Sequence, residues 1–194
     1  MRNQKNALVP KDHLAGGLPT NRVAVMIKAG GMNQSDPPQK FPRVAGLLLY
    51  QVRSRRVYVW LAHMGGPKFA RGNRGWTLPK GQVEDFDLDD LAAARREYKE
   101  EMGADAPKIP YLQLGKFDMS KGSLLTVYTG HSTHANFQPS SNYCNSEWPP
   151  QSGIWTHHPE IDDAKWILIT EAYELIFPRQ RPILSSLMSQ IERS

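Results

Sequence analysis

The chain holds a single cysteine, Cys144, among 194 residues. That excludes an internal disulfide framework and fits a reducing compartment. Long hydrophobic runs are missing as well. None approaches the roughly 18–20 apolar residues that a membrane-spanning helix needs, so no membrane partner is expected. Internal repeats are absent. Acidic residues are absent from one long stretch: Pro37–Val83 contains no Asp or Glu, yet it carries Lys40, Arg43, Arg53, Arg55, Arg56, Lys68, Arg71, Arg74 and Lys80. Nine acids then crowd into Glu84–Asp105. A basic segment abutting an acidic one suits a site that holds cations and an anionic substrate together, although composition alone describes a solvated surface equally well.

What is present fits a globular protein, with 40% hydrophobic and 22% charged residues. The length allows one ordinary domain plus an appendage. The net charge of +5 is unevenly placed. Residues 1–43 hold seven Lys/Arg and two Asp/Glu, and the remaining chain holds 24 − 7 = 17 basic and 19 − 2 = 17 acidic residues. The basic excess therefore belongs to the N-terminal segment, and the main domain carries no electrostatic signal for RNA. Residues 1–42 read as a largely irregular extension rich in Gly, Pro, Asn and Gln, with "RVAVMIKA" (22–29) as an extra edge strand. Acids are scarce before Asp36, which leaves a targeting segment open. No apolar region typical of secretion is present, and a cytoplasmic location is expected.

The domain proper spans residues 43–194. "RVAGLLLYQV" (43–52) and "VYVWLAHM" (57–64) read as a hairpin of buried strands. A Gly-rich basic loop (65–75), a short strand "WTLP" (76–79) and a second loop (80–89) follow. Residues 90–103 form a helix, with Asp89 or Asp90 as N-cap and Gly103 near its C-cap. Strands are expected at 111–119, 123–131 and 164–169, with a long polar loop at 140–153. Helices are expected at 170–177, capped by Thr170, and at 181–193, with Pro182 in the first turn. In the last helix Ile183, Leu184, Leu187, Met188 and Ile191 share a face. Mixed strands with segregated helices imply an α+β or α/β sandwich.

Within the helix at 90–103, "RREYKEEMG" gathers Glu97, Glu100 and Glu101. At about 100° per residue the three occupy roughly a 100° arc. Leu91, Ala94, Tyr98 and Met102 fall on another, about 100° away, which is the core face. The glutamates therefore lie on a flank, with small Ala93 among them leaving room for an approaching group. A pairing of Arg96 with Glu100 at i,i+4 contributes only about 0.2–0.5 kcal/mol and does not offset three crowded carboxylates. Divalent cations do: hard oxygen ligands on one rigid element match Mg²⁺ or Mn²⁺.

The segment "GQVEDFDLDDLAAARREYKEEMGA" (81–104) resembles the Nudix box: a Gly, a Glu, then Arg-Glu-aliphatic-x-Glu-Glu-x-Gly-aliphatic. Arg96, all three glutamates and Gly103 match, and Tyr98 replaces an aliphatic residue on the apolar arc. "RVAGLLLYQ", "GGPKFARGNRGWTLPKG", "SNYCNSEWPPQSG" and "PEIDDAKW" look like a subgroup of bacterial Nudix hydrolases. The likeness covers most of 43–194 and none of 1–42. Two departures stand out. The spacing from Gly81 to Arg96 is one residue longer than the family pattern, and the first-half Glu has no clean counterpart. Asp87 stands in for it if the extra residue falls after it.

The resemblance implies an α/β Nudix fold, an α/β/α sandwich with a mixed sheet. It implies hydrolysis of a pyrophosphate bond in a nucleoside diphosphate linked to another moiety, with Mg²⁺ or Mn²⁺. "WTLPKG" looks most like members acting on dinucleoside polyphosphates. Carried over by position, Glu97, Glu100, Glu101 and the carbonyl of Gly81 are the metal ligands, and Arg96 orients a glutamate. The general base is a box glutamate, Glu97 or Glu100, or an acid from a distant loop, for which Glu147 is the candidate. Lys68, Arg71, Arg74 and Lys80 flank the box as binders of substrate phosphates. Trp76, Phe69 and Tyr143 offer rings for a base, with core packing the safer reading for Trp76. "HSTH" (131–134) and "THH" (156–158) lack the Cys or acid that would complete a zinc site, and read as surface histidines. A homodimer stays open. The rival reading is a degenerate box that binds nucleotide or RNA without turnover, motivated by the longer loop, the missing first Glu and the basic extension.

Overall fold

The computed structural model describes residues 42–119, 122–138 and 142–193; the strand expected at 22–29 lies outside them. Three consecutive leucines, Leu47, Leu48 and Leu49, are each 0% exposed. Successive side chains of a strand point to opposite faces, so this run demands cover on both sides. The structure supplies it. Leu48 joins one apolar cluster with Val59, Leu61, Ile169, Ile183, Leu184 and Leu187. Leu47 and Leu49 join a second with Trp60, Ala94, Tyr98 and Met102. The result is the expected α/β/α sandwich.

The leucine strand is β1 (Arg43–Arg53), and β2 (Arg56–Met64) pairs antiparallel with it. Ser54 and Arg55 make the turn at φ 49° and 61°, the paired positive values that suit two-residue hairpins. Short β3 (Trp76–Thr77) pairs with β2, and β4 (Lys80–Gln82) pairs with β1 opposite Ala45. Residues 80–82, expected as loop, are therefore strand. Their backbone is held by β1 although "KGQ" has no strand-forming side chain. Helix α1 (Asp90–Met102) follows, with the Asp89 carboxylate accepting from the Ala92 amide at 2.7 Å. Gly103 closes the helix in the left-handed conformation, φ 65°.

Strand β5 (Leu112–Asp118) pairs antiparallel with β6 (Leu124–His131), and β6 lies parallel to β1. The polar stretch expected as a long loop instead builds a separate two-stranded sheet from β7 (Tyr143–Glu147) and β8 (Trp155–Pro159). Neither strand alternates apolar and polar residues, so the sequence carried no signal for them. β9 (Ile161–Leu168) pairs antiparallel with β2. It runs straight into α2 (Ile169–Leu175), whose N-cap is Leu168 without a side-chain hydrogen bond. Thr170 is thus inside the first turn rather than the cap. A 3-10 turn at Pro178–Gln180 leads to α3 (Arg181–Ile191).

The Gln180 side chain, 1% exposed, fastens this C-terminal segment to the sheet. Its Nε2 donates to Thr77 Oγ1 at 2.9 Å, and its Oε1 accepts from the Leu78 amide at 3.3 Å. That contact steadies the strand end from which Lys80 and Gly81 depart toward α1. No helix among the described residues is long and apolar enough to cross a membrane.

Leu48→Ala is expected to lower the unfolding free energy by about 2–5 kcal/mol. Leu88→Ala, at a side chain 92% exposed, is expected to change it by less than about 0.5 kcal/mol. Urea unfolding of the two variants measures the contrast.

Candidate active site

Arg96 stands at the centre of the box. Its Nε and Nη2 donate to the two oxygens of Asp87 at 3.1 and 2.9 Å. Nη2 also donates to the Gln82 carbonyl at 2.8 Å. Nη1 donates to Glu97 Oε1 at 2.8 Å and to Glu100 Oε2 at 3.2 Å. One planar guanidinium thus joins the loop, the end of β4 and two helix carboxylates, a fan that matches its fixed fork of donors. The Asp87 carboxylate grips Arg96 in two-point fashion, as a stand-in for the missing glutamate would. Asp87 is also fixed from its own loop, accepting from the Glu84 amide at 2.9 Å. The Arg96 hydrogen bonds hold its carboxyl below the usual range.

Of the glutamate flank, Glu100 faces solvent, whereas Glu97 and Glu101 turn inward. Ala93 is 0% exposed and packs in the core, so it leaves no room for an approaching group. Strand β4 occupies that side. The Glu97 carboxylate lies against the α-carbon of Gly81, where any β-carbon would overlap it. Glu101 Oε2 accepts from the Lys80 amide at 3.0 Å. Burial is the largest influence on both groups. It raises Glu97 above its ordinary value against the opposing pull of Arg96. It pushes Glu101 up to about 8, with the Lys80 charge and amide only partly offsetting it.

A fourth glutamate enters here that the sequence reading missed. Glu160, between β8 and β9, is near enough for its charge to raise both Glu97 and Glu101. Its amide donates to the Asn142 carbonyl at 2.7 Å, and its carbonyl accepts from the Gly65 amide at 2.8 Å. Glu160 lies outside the box spacing, and only the β7–β8 sheet brings it near, so no local pattern marked it.

Glu147 is not gathered with the helix glutamates. Its carboxylate accepts from the Gly153 amide at 2.6 Å across its own hairpin. It does share a cavity of about 200 Å³ with Lys68, Glu160 and His158. His158 is not a free surface histidine: it is half-buried, and its Nε2 lies 2.7 Å from Ser146 Oγ. Lys80 meets the box directly, whereas Lys68 and Arg74 line a different, larger cavity together and Arg71 lies exposed on the loop between them. Trp76 is 5% exposed and belongs to the core; Tyr143 is 56% exposed and stacks on His157.

Among the described residues no three His, Cys, Asp or Glu side chains converge into a closed metal cage. Mg²⁺ does not require one, since it takes one or two carboxylates together with waters and substrate phosphates. Glu101 fits that use. It is a buried hard-oxygen donor with one hydrogen bond, and burial favours its protonated form at neutral pH, which an approaching cation would oppose.

A family model described as NUDIX domain matches residues 40–187. Among solved structures, the chain is similar to a binary complex of a C. elegans Ap4A hydrolase at 19% identity, TM-score 0.53, covering 79% of this chain and 99% of that one. It is similar to the NUDIX domain of Shewanella oneidensis NrtR complexed with ADP ribose at 14% identity, TM-score 0.56, covering 81% and 94%. A mutT/nudix family protein from Listeria innocua matches at 16% identity, TM-score 0.51, covering 78% and 94%. At these identities the likeness is one of fold. No curated protein matches the chain.

Glu101 also sets a pH dependence. Its carboxyl in the folded chain titrates near 8 against an ordinary value of 4.5, so the folded state binds the extra proton between those limits. The Glu101 contribution to stability is therefore full below about 4.5 and is lost as pH rises through about 8. In metal-free buffer the melting temperature of the wild type is expected to fall relative to Glu101→Gln between pH 5 and pH 8. Added Mg²⁺ is expected to reverse the difference at pH 8. Parallel pH-resolved melts of the two proteins test this.

Proposed function

Because the chain belongs to the Nudix family, we propose that it is a divalent-metal-dependent hydrolase. It cleaves a pyrophosphate bond in a nucleoside diphosphate linked to another moiety, with a dinucleoside polyphosphate as the preferred class. The observation that carries this reading is the Arg96 fan, which orients Glu97 and Glu100 while leaving Glu101 buried and short of positive charge. Glu97, Glu100 and Glu101, with the Gly81 carbonyl, are the residues that would hold Mg²⁺ or Mn²⁺. The metal, when bound, neutralises charge on the pyrophosphate and acidifies a bound water.

The chain's own groups do the rest. Arg96 keeps the glutamates in one orientation, because its five donors are committed to neighbours fixed on three elements. Lys80 and Lys68 attract the phosphates from the two sides of the box. The proton of the attacking water passes to a carboxylate. Glu97, Glu100 and Glu147 follow from the family pattern, and Glu160 joins them because its charge reaches the box. The names of the similar structures point to different ligands, an Ap4A hydrolase and an ADP ribose complex, so fold likeness does not choose the substrate. A lone cysteine and nucleotide chemistry support a reducing, cytoplasmic setting.

The rival, a box that binds without turnover, rested in part on the missing first Glu. The two-point contact of Asp87 with Arg96 supplies an anchor at that position, which favours the enzyme.

Incubation with a panel of nucleoside pyrophosphates in ¹⁸O-water and Mg²⁺ is expected to give hydrolysis and to identify the phosphorus attacked. Glu101→Gln is expected to lower kcat by about 100-fold or more, since several kcal/mol of transition-state stabilisation are at stake. Equal, near-zero rates in both proteins with nucleotide binding retained would replace this reading with the binding module. Glu147→Gln and Glu160→Gln separate the loop acids: the general base loses about 10²–10⁴-fold in kcat and its acidic pH limb. A fall in neither leaves the role with a box glutamate.

A further inference from the structure

A second cavity, of about 460 Å³, opens between the basic loop after β2 and the junction of α2 with α3. Lys68, Arg74 and Arg181 line it, with the rings of Phe69 and Phe177 and one acid, Glu174. The two rings meet edge to face at 6.0 Å, and Lys68 Nζ lies 5.1 Å from the centre of the Phe69 ring. The volume is that of a small-molecule site. Cations beside half-buried aromatic rings are the chemistry that takes a phosphate joined to a flat ring.

Arg181 makes the strongest case. It is the first residue of α3, whose first turn contains no acid. The positive end of the helix dipole is an unfavourable place for a cation. Its Nε is buried and has no hydrogen-bond partner among the described residues, although buried donors are nearly always paired. Glu174 shares the cavity, but no ion pair between it and Arg181 is formed among the described residues. An arginine so placed is out of balance until an anion arrives.

The cavity also adjoins the smaller one that holds Glu160. Lys68 lines both, and the charge of Glu160 reaches Glu97 and Glu101. We propose that this cavity is a nucleotide site, holding the phosphorylated nucleoside that lies beyond the scissile bond, with Arg181 and Arg74 on its additional phosphates and Phe69 and Phe177 beside its base. The proposal rests on the hydrolase reading for its substrate and deepens it. It explains why a chain with a balanced main domain places several cations on one side of its loop: they select substrates with further phosphates and a second base beyond the scissile bond.

The test combines binding with kinetics. ADP is titrated calorimetrically into the full chain in EDTA, and KM is measured with Mg²⁺ for diadenosine tetraphosphate and for ADP-ribose, whose far half carries a single phosphate and no base. Arg181→Gln is expected to weaken ADP binding and to raise KM for the dinucleotide by about tenfold or more, with KM for ADP-ribose and both kcat values unchanged. Its melting temperature without ligand is expected to equal or exceed that of the wild type, because an orphaned cation is removed; a purely structural arginine would lower it. Arg74→Gln, on the exposed loop, is expected to repeat the KM split and serves if Arg181→Gln fails to fold. Unchanged ADP binding, an equal rise in both KM values, or weakened ADP binding with an unchanged dinucleotide KM each overturns the proposal. If the wild type hydrolyses neither compound, the hydrolase reading fails on its own. The ADP titration then decides the cavity: binding weakened by Arg181→Gln supports a nucleotide site, and binding it leaves unchanged overturns one.

Discussion

Carboxylates withdrawn from water need a cation within reach, and the centre of this molecule is organised around that constraint. Arg96 meets it for Asp87 and Glu97 with one guanidinium, which also pairs with the exposed Glu100. It does not reach Glu101, which turns the other way toward the Lys80 amide. The arrangement therefore divides the acids into a neutralised set and a remainder. The remainder gives the site its appetite for positive charge. An ordinary solvated helix face would have no such division, because water would serve every carboxylate alike.

The rest of the fold can be understood as what holds that division in place. β1 is buried on both faces, so it fixes the height of α1 on one side and of α2 and α3 on the other. β4 hangs on β1 by backbone pairing and brings Gly81 under Glu97. Thr126 on β6 donates to Asp90 at 2.9 Å, which pins the start of α1 to the sheet. Rigid elements approach the carboxylates from three directions, so their orientation does not depend on the side chains alone.

The glutamates, Arg96, Gly81 and the apolar arc of α1 were legible because helical spacing is local and regular. So were β1 and β2, whose apolar runs announce burial. What the sequence hid was whatever depended on distant chain. β4 is a strand only because β1 lies beside it. β7 and β8 pair with each other without hydrophobic alternation. Glu160 and Arg181 acquire their surroundings from loops many residues away. Even the sense of one helical position changed: Ala93 was spaced like an access point, and the sheet made it core. The Asp87 substitution was legible as a departure, but its sufficiency appeared only when its two oxygens met Arg96.

The parallel partnership of β1 with β6 has a consequence for synthesis. Thr129 Oγ1 bonds the Leu48 carbonyl across a separation of 81 residues. Chains grow at about 5–20 residues per second, so β1 emerges several seconds before the strand that completes it. During that interval its leucines and one row of backbone groups are bare, and such an edge invites pairing with other chains. The first part of the intervening segment, up to Val83, holds arginines and lysines and no acid, so two nascent copies repel each other through it as it emerges. Cations that later serve a polyphosphate also keep the half-made protein apart from its neighbours.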